Sequence, residues 1–120
     1  MNLPTVTVTL NLSLRLLADA LGNAVEGGSR YWAAVREFTL DGEGFLDCDS
    51  VADGRARWQI EDMETGRIHT LDRVALFEGV RILGEKYPWH LGALLDRKRS
   101  DSFTGDALLQ CALFGGIIYG

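Results

Sequence analysis

The residues of this chain that could do chemistry are few and far apart. The densest group is the turn Gly27-Gly28-Ser29-Arg30 followed by Tyr31 and Trp32. Glycines, a hydroxyl and an arginine together can hold a phosphate. Phosphate-cradling loops, however, precede a helix and aim its first amides at the anion. This turn follows a predicted helix and contains no Gly-Lys-Ser/Thr sequence, so it is expected to act as a helix stop. Neighbours in a strand face opposite ways, so one of Tyr31 and Trp32 is expected in the core and the other outward, as a stacking or interface surface beside Arg30. The candidate binding residues are therefore Ser29, Arg30, Tyr31 and Trp32, with Arg57 as a second arginine for a nucleotide-like ligand.

No other group assembles a reaction centre on spacing alone. Asp47, Asp49 and Asp53 suggest calcium, but with Asp47 at position one of an EF-hand loop the fifth and sixth positions are Val51 and Ala52, where an oxygen ligand and a glycine are required. A solvated acidic loop is expected, with no metal. His69 and His90 lie near no cysteine or serine in a catalytic arrangement, and they are expected on an exposed strand and in the first turn of a helix. Cys48 and Cys111 have neither CxxC nor Cys/His spacing and are expected as free thiols rather than a disulfide or zinc site. The basic run Arg97-Lys98-Arg99 follows a helix, where the dipole favours positive charge whatever the function. No catalytic residue and no cofactor are assigned, and the chain is not expected to be an enzyme.

The elements that position these groups follow from periodicity. Thr5–Leu10 alternates threonine with Val6, Val8 and Leu10, the pattern of a half-buried strand. Ser13 can cap a helix running to about Glu26, with Leu14, Leu17, Ala18, Leu21, Ala24 and Val25 on one face, and Gly27 and Gly28 would end it in a left-handed cap. Tyr31–Thr39 is predicted as a strand, and 41–54 as an acidic loop with room for one short strand. Arg55–Asp62 and Arg67–Leu71, joined by a turn at Glu64-Thr65-Gly66, make a β-hairpin. Asp72 would cap a helix to about Tyr87 with Val74, Phe77, Val80 and Leu83 or Tyr87 inward. Pro88 would close it and open another over Trp89–Asp96 that buries Leu91, Leu94 and Leu95. Thr104 or Asp106 would cap a core helix over Ala107–Phe114, stopped by Gly115 and Gly116, with Ile117–Tyr119 docking as a short strand. Strands early and helices late give an α+β fold: a small antiparallel sheet with a hairpin and about four helices on one face, over a single domain of residues 1–120.

Composition narrows the classes. The chain has 120 residues, 47% hydrophobic and 24% charged, and a net charge of −5. That is an ordinary globular balance with no electrostatic drive toward a phosphate backbone, so nucleic acid is not an expected partner. No apolar stretch approaches the roughly 20 residues of a membrane span, and the first residues lack the basic and apolar regions of a signal peptide. No membrane association is expected.

Three segments carry a resemblance: Glu26-Gly27-Gly28-Ser29-Arg30-Tyr31-Trp32, Glu85-Lys86-Tyr87-Pro88-Trp89-His90-Leu91, and Leu109-Gln110-Cys111-Ala112-Leu113-Phe114-Gly115-Gly116-Ile117-Ile118-Tyr119-Gly120. Together they resemble a family of small proteins of tailed bacteriophages and prophages. The resemblance implies an accessory protein in the bacterial host cytoplasm and supplies no catalytic residues. By analogy, such a protein acts by binding: it inhibits a host protein or protein complex, as in counter-defence against CRISPR, or sequesters a nucleotide-like signal. A homodimer is expected as well.

Overall fold

Ser13 starts the first helix as its sequence position suggests. In the computed structural model, which describes residues 3–40, 48–96 and 98–120, Ser13 Oγ accepts the Arg15 amide at 3.1 Å. That satisfies one of the orphan donors of the first turn. Helix α1 (Leu14–Asn23) turns Leu17, Ala18, Ala20 and Leu21 inward, while Leu14, placed on the buried face by the sequence, is 40% exposed. A single π-type turn, Ala24–Gly28, follows. Neither Gly27 nor Gly28 is left-handed there, contrary to the expected cap. Gly28 is glycine for closeness instead: a Cβ would sit 2.0 Å from the Ser102 carbonyl oxygen.

Three strands form one antiparallel sheet in the order β1-β2-β3, with β1 at Ala33–Leu40, β2 at Ala56–Asp62 and β3 at Ile68–Leu71. The β1-β2 register runs from Ala33 opposite Asp62 to Leu40 opposite Ala56, with an irregularity between Val35 and Glu37. The β2-β3 hairpin lies where alternation placed it. Ala56, Trp58, Ile60 and Asp62 are buried and face the helices, while the intervening residues are exposed or half-buried. Of the expected acidic loop, 41–47 lies outside the described residues. Cys48–Ala52 is a short helix, α2, whose Val51 and Ala52 are buried.

Helices α3 (Arg73–Lys86), α4 (Pro88–Leu95) and α5 (Ser102–Phe114) complete the α+β fold. Asp72 Oδ1 accepts the Ala75 amide at 2.8 Å and caps α3. The buried face of α3 is Leu76, Gly79 and Leu83, while Val74 is 76% and Phe77 40% exposed. The helix is thus rotated from the expected orientation, and the cause is Gly79. A Cβ there would meet the Ala112 backbone at 2.8 Å, so the smallest residue sets where α3 and α5 touch, ahead of the larger side chains. Helix α4 begins with Pro88 and buries Leu94 as expected and His90 besides, while Leu91 is half-buried against the core and Leu95 is 41% exposed.

Helix α5 packs against α1, α3, α4 and β3 and is buried throughout Thr104–Cys111. Its cap is Asp101, whose Oδ1 accepts the Thr104 amide at 3.0 Å. Asp106, expected as a cap alternative, lies inside the helix. Gly115, left-handed at φ 75°, closes it.

Two expected strands are absent. Ile117–Tyr119 forms no ladder and gives its amides to side chains instead, that of Ile117 to Tyr87 Oη and those of Ile118 and Tyr119 to Gln110 Oε1. Thr5–Leu10 joins no ladder, with Val6 74% and Val8 69% exposed.

Candidate binding surface

Helix α5 is apolar nearly all round, yet carries a carboxylate at its centre. Asp106 is 7% exposed and accepts four side-chain hydrogen bonds. Ser29 Oγ and Trp32 Nε1 each donate to Oδ1 at 2.7 Å. Tyr31 Oη donates to Oδ2 at 2.7 Å, and Gln110 Nε2 donates to the same oxygen at 3.0 Å. Charge-assisted bonds of this length are the strong class, and they offset the desolvation of a buried carboxylate.

The network extends one turn along α5. Gln110 is fully buried, and its Oε1 accepts the Ile118 and Tyr119 amides at 2.8 Å each. Its Nε2 also donates to the Tyr119 carbonyl at 3.2 Å. Tyr119 Oη in turn donates to Asp62 Oδ2 at 2.7 Å. One chain of bonds therefore ties the 29–32 turn, helix α5, the 117–119 tail and the end of β2.

Ionisation follows from these partners. Burial, together with the bond to Asp106, pushes the Tyr31 hydroxyl up to about 12. The bond to Asp62 pushes Tyr119 up to about 12 as well. Burial alone would raise Asp62, but the bonds from Tyr119 and from Glu64 and Thr65 outweigh it and hold the carboxyl below its ordinary value. Burial raises the Cys111 thiol to about 11, with Lys86 opposing.

Among the candidate residues, Ser29 and Trp32 are buried at 1% and 0% exposure, while Tyr31 is 52% exposed with only its hydroxyl tied inward. Trp32 also packs, with its ring tilted, at 5.1 Å from Phe114 and 5.6 Å from Tyr119 between centroids, so it is the core member of the pair and Tyr31 the outward one. Arg30 is exposed and lines a depression of about 340 Å³ floored by Val25, Val35, Ile60 and Leu109, with Met63 at its rim. Arg57 is not part of it. Arg57 stands opposite Thr39, at the far end of the β1-β2 pair from Ala33 and Asp62.

The remaining sequence candidates lie elsewhere. Asp49 bonds Arg15 at 3.3 Å and Asp53 bonds Arg55 at 2.8 Å, while Asp47 lies outside the described residues. Among the described residues no cluster of three or more His, Cys, Asp or Glu is placed to hold a metal. His90 is buried against Phe103, with ring centroids 5.0 Å apart, and desolvation lowers its pKa. His69 meets Phe114 edge-on and is half-buried rather than exposed. Arg97 lies outside the described residues, and Arg99 pairs with Asp96 at 3.2 Å. Neither Cys48, half-buried, nor Cys111, buried, is part of a disulfide.

Asp106 is the organising residue that sequence reasoning missed. Its signal was local: an acid inside an otherwise apolar helix with an amide side chain one turn later. Its partners at Ser29, Tyr31 and Trp32 lie 77, 75 and 74 positions away, which periodicity does not reach. No protein-family model, curated protein or solved structure matches the chain.

Proposed function

We propose that this protein acts by binding another protein, through the surface around Arg30, the exposed ring of Tyr31, Ala34 and Met63. The observation that supports this reading is the pairing of a rigid base with an outward arginine and tyrosine. The Asp106 bonds fix the 29–32 turn, and the apolar depression beside Arg30 is open to an inserted side chain. Tyrosine and arginine on a preorganised base are the composition of interface hot spots, because little conformational entropy is lost on docking. The buried carboxylates described above are saturated by structural donors, which favours binding over catalysis. The resemblance to phage accessory proteins directs the reading toward a host-directed inhibitor, such as an anti-CRISPR, working in the host cytoplasm.

The test is affinity capture from bacterial lysate with wild-type protein and with an Arg30→Glu, Met63→Glu variant, each read by mass spectrometry. A complex captured by the first and lost by the second, with thermal stability unchanged, supports the surface. Equal capture by both removes it. The depression and Arg30 also favour a second reading, a nucleotide-like ligand. Calorimetry with a panel of linear and cyclic nucleotides tests it, and an absence of heat beyond dilution rejects it.

A further inference from the structure

Residues 3–12, Leu-Pro-Thr-Val-Thr-Val-Thr-Leu-Asn-Leu, carry no charge and alternate strictly from Thr5 to Leu10. Among the described residues, none of these ten makes a hydrogen bond within the chain. Leu3, Val6, Val8 and Leu10 are 81%, 74%, 69% and 47% exposed. The segment thus has the composition of a strand but no ladder partner, and while Leu12 packs against the core, the apolar side chains of 3–10 are left largely exposed. Between the segment and the outer face of α3 and α4 runs an open groove of about 970 Å³, lined on the helix side by Phe77, Val80, Arg81, Gly84, Glu85 and Leu91. Its two charged residues satisfy each other, since Arg81 bonds Glu85 at 2.7 Å as well as Glu78. An uncharged apolar occupant therefore leaves no ion unpaired there.

We propose that the occupant is the same segment of a second copy, so that two chains pair their 5–10 strands antiparallel about a two-fold axis and cover each other's grooves. The sequence is close to palindromic about Val8. In the symmetric register Val8 faces Val8, Val6 faces Leu10 and Thr7 faces Thr9. Every apolar side chain then lies on one face of a two-stranded ribbon and every threonine on the other, and Thr–Thr and β-branched cross-strand pairs stabilise such a ladder. A self-complementary patch of this kind is what an isologous dimer requires. Each copy carries a net charge of −5, so two copies repel over most of their surfaces, and the uncharged segment is where they can meet. The groove on α3 does not include the Arg30 surface, so the dimer stands independently of the proposed partner site.

Analytical ultracentrifugation of the full chain tests the proposal, together with a Val6→Glu, Val8→Glu variant and a Val8→Cys variant. Val6 and Val8 are exposed in the single chain, so the glutamates leave its fold intact, as circular dichroism will show. The expected results are a dimer for wild type, a monomer for the double glutamate variant, and a spontaneous disulfide-linked dimer for Val8→Cys under mild oxidation that wild type, with its native thiols, does not form. Cross-strand Cβ atoms about 4.5–5.5 Å apart are within reach of that bond after a small adjustment. A wild-type monomer up to millimolar concentration overturns the proposal. So does a dimer that survives both glutamates, or one in which Val8→Cys fails to cross-link, as when the segment docks on an open sheet edge of the other copy.

Discussion

Replacing Asp106 with alanine measures how much of the fold hangs on one carboxylate. The substitution orphans the Ser29 hydroxyl and the Trp32 indole N–H, at 1% and 0% exposure. Gln110 Nε2 keeps the Tyr119 carbonyl, and Tyr31, half-exposed, can turn its hydroxyl to water. Two buried unsatisfied donors cost about 1–3 kcal/mol each, hence about 2–6 kcal/mol in all. The middle of that range is about 4 kcal/mol, and relief of the buried charge returns part of it, which leaves about 3 kcal/mol. A domain of this length has a total stability of roughly 6–18 kcal/mol. With an unfolding entropy near 2.1 cal/mol/K per residue, Tm falls by about 12 °C.

Asp106→Asn supplies the control. Its remaining oxygen can accept from Ser29 and Trp32 while its amide faces Tyr31, whose hydroxyl can reverse, so the loss is about 1–2 kcal/mol. Ser29→Ala removes one donor and leaves Asp106 three others, so about 1 kcal/mol is expected. Urea denaturation followed by tryptophan fluorescence reads all three, because Trp32 and Trp58 are fully buried. The order alanine, then asparagine, then Ser29→Ala is required. An alanine variant within about 1 kcal/mol of wild type refutes the reasoning, since a buried acceptor of four bonds cannot be removed so cheaply.

Other perturbations follow from the same geometry. Tyr31 and Tyr119 favour their neutral forms, with pKa raised from 10.0 to about 12. Stability present below pH 10 is therefore lost as pH rises toward 12, and Tyr31→Phe and Tyr119→Phe should each remove one late-titrating tyrosine from the alkaline absorbance curve. Asp62 favours its charged form, with a pKa below 3.8, so its contribution persists above that value and disappears as pH falls through its folded value. Tyr119→Phe should move the acid-unfolding midpoint upward. Gly79→Ala forces a Cβ to 2.8 Å from the Ala112 backbone and should cost about 1–3 kcal/mol by overpacking in thermal unfolding, while Gly27→Ala, with open space around it, should cost far less.

Much of the fold was legible because its elements are local. The hairpin is written in the alternation of Ala56, Trp58 and Ile60 and in the glycine turn after Asp62, and the structure keeps both. Helix starts at Ser13 and Asp72 follow from capping chemistry within a few residues. Helix rotation was less legible, because Gly79 contributes nothing to an apolar count yet decides where α3 meets α5. The Thr5–Leu10 pattern was read correctly as a pattern and wrongly as a paired strand within the chain: alternation specifies a face that needs covering, and says nothing about which chain covers it.

The candidate site was legible only in composition. Ser29, Tyr31 and Trp32 stand out in the sequence as groups fit for a ligand, yet three of their polar atoms are spent on Asp106. Segments 26–32 and 109–120 prove to be the two sides of this one buried network, joined through Asp106 and Gln110 on α5. Their unusual residues are accounted for by packing and hydrogen bonding: Gly28 by the Ser102 carbonyl, Gly115 by its left-handed cap, Gln110 by the amides of the tail. Such residues mark a fold. On the binding function proposed above, specificity lies in the neighbours the network holds but does not consume, Arg30 and the ring of Tyr31. A change there should alter the partner and leave the structure standing, whereas a change at Ser29, Trp32 or Asp106 should lose both together.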